Sequence, residues 1–466
     1  MIRRLRSSSA LGLALLTMLP GCSMAPAYHQ PALPVPASWP VGDAYLKQQE
    51  AALPAYSYRD VLVDPRLIAV INQALANNQD VRRAAANIAA ARAQYQVQRA
   101  ELLPQLDLGA SYRRSDSGVS AGADSFALQG SVSGYEVDLF GRLRSLGDAA
   151  QNRYFASEAA ARATRLTLVA DVADAWLAYA ADSTLLTIAR QTAIAARESV
   201  RLTQRRLDGG VAPRSDLRQA QIVLETAEAD IAAQTNAAAQ DLNALQLLVG
   251  APIDPAHLAG TITDAAASLK DIPAGLDSTI LLRRPDVIEA EWQLRAANAQ
   301  IGAARAALFP RISLTSVLGF ASSALGGLFS GGNFAWSAAG GASYPIFSGG
   351  AGKASVALSE AQRDAALADY RKAIQTAFAD VADTLARRGT IEPQLRAVTA
   401  GRDAAADNAH LANLRYRGGV TSYLESLTAQ LSLYSAQRNL TNTQRLRASN
   451  LVALYRSLGG DPLPQG

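Results

Sequence analysis

The chain has one cysteine and three histidines in 466 residues. A single thiol excludes a disulfide framework and any Cys-rich metal site. His29, His257 and His410 are scattered, with no second histidine at ligand spacing, so little remains for His-based metal or acid–base chemistry. Aromatic residues make up only 6% of a chain that is 49% hydrophobic, and alanine supplies much of the apolar count. A compact core draws more on Phe, Trp, Ile and Leu, so this composition points to closely packed helices. Charged residues amount to 18%, against roughly 25% in an ordinary soluble domain. The net charge is +4 and no basic run beyond the N-terminus collects it, so nucleic-acid binding has no electrostatic footprint. No later run reaches about 18 uninterrupted apolar residues, which excludes a transmembrane helix.

What is present begins with an address. Arg3, Arg4 and Arg6 precede an apolar stretch, Ala10–Leu19, which ends Leu19-Pro20-Gly21-Cys22. A basic start, a short apolar run and a small residue before cysteine form the pattern of a bacterial lipoprotein signal. The reading predicts a signal peptide over 1–21, with Cys22 as the acylated mature N-terminus. Ser23 after it favours the outer membrane. Acyl chains contribute ~0.8 kcal/mol per buried CH2, enough for firm anchoring by three of them. Residues 22–60 read as a lipidated tether, because Pro26, Pro31, Pro34, Pro36, Pro40 and Pro54 keep them extended.

The body repeats itself. Asp80 opens a helix that runs to Pro104, and Asp286 opens one that runs to Pro310, both at an offset of 206 residues. Arg206-Leu207-Asp208-Gly209-Gly210-Val211 recurs as Arg415-Tyr416-Arg417-Gly418-Gly419-Val420 at an offset of 209. The copies span 61–250 and 286–460, joined by a linker over 251–285. Between Gly141 and Gly209 there is no proline and one glycine, Gly147, so residues 142–208 can form one helix of roughly 100 Å. The return segment Ser215–Val249 carries Leu217, Ala220, Leu224, Ala227, Ile231, Ala238, Leu242, Leu245 and Val249 at coiled-coil spacing. In the second copy Pro393 predicts a break of the long helix into two.

Strands are predicted within 105–140 and 311–347. Gln105–Arg114 and Phe126–Phe140 flank a polar loop at Ser115–Ser125, and Arg311–Ser322 and Phe334–Phe347 flank another at Ser323–Asn333. Segments of about ten residues with a period of two and polar loops are the signature of outer-membrane strands. Four strands cannot close on themselves, and lipid does not tolerate open edges. Other copies must therefore complete a barrel of eight, twelve or sixteen strands, the number left open by the count alone.

These features together resemble the TolC-like outer-membrane efflux proteins, and among them the OprM-type lipoprotein branch that serves resistance-nodulation-division pumps. The resemblance runs from Cys22 to Gly460. It includes Tyr28-His29-Gln30-Pro31, Leu281-Leu282-Arg283-Arg284-Pro285-Asp286, the prolines at 104 and 310, and both glycine turns. It implies a mainly α fold with a membrane β-barrel. Three chains would build a twelve-stranded barrel in the outer membrane of a Gram-negative bacterium, above a periplasmic tunnel of long antiparallel helices. Residues 56–79, 251–285 and 390–400, with the chain end, would form a mixed belt around the helices. The implied partners are two further copies, a periplasmic adaptor, an inner-membrane pump and outer-membrane lipid. The implied gate lies at the second-copy turn, where Leu424, Glu425 and Thr428 ring the bore. There Tyr416 ties neighbouring tips, with Asp216 as its partner.

Catalytic chemistry finds no motif. Ser348-Gly349-Gly350-Ala351-Gly352-Lys353-Ala354 lacks the first glycine and the Ser/Thr of a phosphate loop and reads as a flexible strand-to-helix joint. No cofactor, metal or enzymatic activity is expected beyond lipid on Cys22. The leading function is a passive exit duct for small toxic compounds. A type I protein-secretion outlet shares the architecture, and a lipid-anchored coiled coil without a pore is the rival from another class.

Overall fold

A computed structural model of the chain describes residues 23–40, 42, 44–45, 57–116, 123–271 and 278–460. Cys22 and the signal segment lie outside them. The elements run α1 (Tyr58–Val61), α2 (Pro65–Asn77), α3 (Gln79–Ala100), β1 (Asp107–Ser115), β2 (Ala123–Val137), α4 (Arg142–Asp208), α5 (Arg214–Val249), α6 (Ile262–Ala267), α7 (Pro285–Ala306), β3 (Arg311–Ser322), β4 (Phe334–Ser343), α8 (Ala351–Arg417) and α9 (Tyr423–Ser457). The duplication is visible in their lengths. Helices α3 and α7 have 22 residues each, α4 and α8 have 67 each, and α5 and α9 have 36 and 35.

The chain divides into two compact units. The first holds the described residues up to Ala32 with Ala86–Glu158 and Glu289–Arg371. Its sheet is an antiparallel meander in the order β1-β2-β3-β4, so β1 and β4 present open edges. A bulge between Val132 and Tyr135 interrupts the β2–β3 register, and there Gly134 N–H donates to Thr315 Oγ1 at 3.1 Å. Two strands end earlier than the alternation predicts. β4 stops at Ser343 because Pro345, two residues on, has no N–H for the ladder. β2 stops at Val137, three residues before Phe140. At its other end β2 starts at Ala123, inside the stretch read as loop.

The tether residues of this unit are extended, as their prolines require, and lie along α7. Asn298 Nδ2 donates to the Pro26 carbonyl at 2.7 Å, Tyr28 Oη donates to Glu291 at 3.3 Å, and the Arg295 guanidinium sits 4.6 Å above the Tyr28 ring.

The second unit comprises Leu33–Ala85, Ala159–Ile288 and Lys372–Gly466. Its core gathers Leu62, Leu67, Ile71, Trp176, Leu177, Ile262 and Leu281, all fully buried. The helix α2 starts on an Asp64 cap that accepts from Arg66 N–H at 2.8 Å, with Pro65 at its first position. Trp176 Nε1 donates to the His257 carbonyl at 2.9 Å, which fixes the loop that carries that histidine. Trp39 stacks on Phe378 with ring centroids 5.6 Å apart.

Pro393 does not break α8. The helix runs unbroken from Ala351 to Arg417, and the expected belt segment 390–400 lies inside it. A proline removes one i→i−4 bond, and burial of the neighbouring Ile391, Leu385 and Val381 outweighs that loss.

Candidate functional site

Two places concentrate functional chemistry: one face of the sheet, and the turns between long helices. On the sheet, register decides what each face presents. Leu108, Ala110 and Tyr112 pair with Gly130, Leu128 and Phe126, and these rows continue through Leu318 and Phe320 of β3 to Trp336 and Phe334 of β4. Val132, Tyr135, Val137, Ile312 and Leu314 extend the same face. The alternate positions are, apart from Val317, small or polar, among them Gly109, Ser111, Gln129, Ser131, Ser313, Thr315, Ser337 and Ala339. In one chain the apolar face is bare, with Leu108 79%, Trp336 72% and Leu318 51% exposed. Such a face is stable against lipid, and the small polar face lines an aqueous lumen. Aromatic residues gather at both margins. Tyr112–Phe126 and Phe320–Phe334 mark one and the Phe140–Phe309 stack at 4.8 Å marks the other, in the manner of interfacial girdles.

The turns are built alike. In the first, Gly210 N–H donates to the Leu207 carbonyl and Val211 N–H to that of Arg206, both at 2.9 Å. In the second, Gly419 N–H donates to Tyr416 at 3.1 Å and Val420 N–H to Arg415 at 2.9 Å. This is the Schellman closure, which needs a left-handed residue at its centre; Gly210 and Gly419 have φ of 70° and 74°. The preceding Gly209 and Gly418 keep negative φ and end the helices.

Around the second turn Tyr416, Tyr423, Leu427, Val223, Ala196 and Ala220 form a small buried core. The Tyr416 and Tyr423 rings meet at 5.3 Å, and the Arg206 guanidinium lies 4.6 Å over Tyr416. That contact fastens the end of α4 to the end of α8. Leu424 is 58% exposed. Glu425 pairs with Arg415 at 3.0 Å, with both side chains about half exposed. Thr428 Oγ1 donates to the Leu424 carbonyl of its own helix at 2.8 Å.

The expected tie between Tyr416 and Asp216 is not a bond within this chain. The Tyr416 hydroxyl is buried without a hydrogen-bond partner among the described residues, and its ring makes the contacts instead. Asp216 influences Tyr423. Burial is the main cause that pushes the Tyr423 hydroxyl up to about 12, and the negative fields of Tyr416 and Asp216 add to it while Ser199 opposes. Sequence reasoning passed over Arg206, Arg415 and Tyr423. The arginine pair at 205–206 just before the first glycine turn was the available signal.

Behind the turns, α5 and α9 are joined by Tyr434 Oη donating to Asp230 at 2.6 Å, with Arg438 3.7 Å from the same carboxylate. The Leu281–Asp286 string has a structural purpose. Arg284 is buried; it pairs with Asp286 at 2.7 Å and Asp380 at 3.1 Å, and donates to the Ser457 carbonyl at 2.9 Å. Among the described residues no cluster of His, Cys, Asp or Glu could hold a metal ion.

A lipid-compatible sheet with two open edges, in a duplicated chain whose long helices are closed by matched glycine turns, defines a subunit of an outer-membrane channel. The chain belongs to the outer membrane efflux protein family, whose model matches residues 70–251 and 276–460, and it is the outer-membrane channel component of an efflux pump. It is 44% identical to the solvent efflux pump outer membrane protein SrpC of Pseudomonas putida, over 96% of each chain. It is 40% identical to the outer membrane protein OprJ of Pseudomonas aeruginosa, covering 97% of this chain and 95% of that one. Its fold matches the open-state Neisseria gonorrhoeae MtrE outer membrane channel with a TM-score of 0.86 and 34% identity, covering 94% of this chain and 98% of the other.

Proposed function

We propose that three copies of the chain form a passive exit duct for small, largely apolar toxic compounds, supplied by an inner-membrane pump of the resistance-nodulation-division class through a periplasmic adaptor. The observation that carries this is the sheet: one largely apolar face, interrupted in its middle by Ser316, one small polar face and two edges that only further copies can satisfy. A coiled coil without a pore has no use for such a sheet. The compound class follows the solvent and toluene efflux pumps named for the relatives. The same names favour this over a protein-secretion outlet. The duct needs no cofactor and performs no catalysis; the driving energy belongs to the pump.

The reading includes acylation of Cys22. Successive contacts of the described tether climb α7 from Glu291 at Tyr28 to Asn298 at Pro26.

The gate in this reading is the second turn. Leu424, Glu425 and Thr428 face the bore near the axis, and the Arg206–Tyr416 contact holds the closed form, with Asp216 and Tyr423 beside it. A cation–π contact is worth about 0.5–2 kcal/mol, so a few such restraints can be released by a partner's binding energy in a two-state opening. Planar-bilayer recordings test it. Arg206→Ala should give more frequent or larger openings. Glu425→Gln frees Arg415 and should lower cation preference. Wild-type traces from both variants would put the constriction elsewhere.

A further inference from the structure

We propose that the groove between the ends of α4 and α8 and the start of α9 is a carboxylate-binding cleft, which receives an acidic side chain of the periplasmic partner and uses the Tyr416 hydroxyl as one donor. This rests on the duct reading, in which the turns meet an adaptor, and it specifies the chemistry of that contact. The cleft has a volume of about 400 Å3 and is lined by Arg205, Asn413, Tyr416 and Arg417 and by the Glu198–Arg201 ion pair, among others.

Three observations converge on an anionic ligand. First, Tyr416 is one of the lining residues, and its hydroxyl is buried without a partner among the described residues. A buried hydroxyl without a partner forfeits a hydrogen bond, and a carboxylate oxygen is the acceptor that restores it. Second, Arg205 and Arg417 are exposed at the helix ends and neither has an ion pair among the described residues, whereas neighbouring Arg201 is held by Glu198 and Arg415 by Glu425. Third, the two turns carry a surplus of positive charge. Residues 198–218 and 413–430 hold seven arginines and four acids, and no lysine.

The surplus selects the occupant. The tips of a second copy bring the same surplus, so the counter-charge is assigned to a different protein. A side chain rather than a free anion fits, because an open groove flanked by helix ends admits a projecting residue and its backbone. Recognition and opening are then one event. A carboxylate bound between Tyr416 and Arg205 draws on the ring that Arg206 covers, so docking loosens the contact that joins α4 to α8.

The test uses the full-length chain in its own host, with a photoreactive benzoylphenylalanine at Asn413, a lining position that carries no charge. The expected product is a cross-link to another protein within a few residues of an Asp or Glu. Combining Arg205→Glu with Arg417→Glu should lower its yield about ten-fold or more, as loss of close charge pairs does, and replacing the identified acid by Arg should restore it. A cross-link only to this chain, no cross-link at all, or a yield indifferent to charge reversal overturns the proposal. Bilayer conductance of the same preparations is the separate readout. A wild-type chain without a pore overturns the duct reading and this proposal with it, while a pore with an unresponsive cross-link overturns this proposal alone.

Discussion

Asn78 and Arg284 stand at equivalent positions of the two copies and perform one task with different chemistry. Asn78 Nδ2 donates to the Leu248 carbonyl at 2.8 Å, and Arg284 Nη1 donates to the Ser457 carbonyl at 2.9 Å, so each ties a helix start to the end of its return helix. Arg284→Met should lower stability by about 2–3 kcal/mol, since the Ser457 carbonyl loses its donor while Asp286 and Asp380 can still be hydrated. A shift in the urea midpoint checks this, and an unchanged midpoint would mean the latch is idle. Asp241 gives a second prediction. Burial, reinforced by the neighbouring Asp182 carboxyl, raises its carboxyl from 3.8 to about 6. The folded chain therefore holds this proton more tightly than the unfolded chain, and stability falls as pH rises between those two values. Asp241→Asn should raise the unfolding temperature at pH 7.5, with a gain that shrinks as pH falls from about 6 towards 3.8; a gain independent of pH would contradict the assignment. At this scale little was legible in advance. The Leu281–Asp286 string marks a family, but the reason for Arg284 lies in Asp380 and Ser457, far along the chain. Tyr416 likewise stands out in sequence, while its contact with Arg206 depends on two helices meeting.

Elements were more legible than their ends. Absence of proline between Gly141 and Gly209 foretells the 67 residues of α4, and matched glycine pairs foretell where the long helices reverse. Pro393 misleads because local propensity is outweighed by packing along the rest of α8. Pro393→Ala should therefore stabilise the chain, by at most ~3 kcal/mol, as a helix-interior proline costs about that much; thermal unfolding of the two forms decides it, and a loss of stability would mean the proline serves the local geometry. The sheet supports a sharper prediction. Leu314 lies on the apolar face, so Leu314→Arg should cost roughly 2–4 kcal/mol per subunit near mid-bilayer. Assembly of that variant at wild-type yield in outer-membrane extracts would show the residue facing the lumen.

At the scale of the whole assembly, the strand pattern requires partners but does not count them, because four strands close equally well in arithmetic with one, two or three further copies. Subunit number depends on strand tilt and stagger between copies, which no period in one sequence records. The central claim is that β1 of one copy pairs with β4 of the next and that three copies complete the ring. Ser111 on β1 and Ser337 on β4 both lie on the small polar face. A chain with Ser111→Cys and Ser337→Cys, purified from outer membranes and treated with a short bis-maleimide, tests it directly, since the natural sequence has only Cys22. The account predicts a ladder of one, two and three linked chains that stops at three; a ladder that stops at two, continues to four or never leaves the single chain would contradict it.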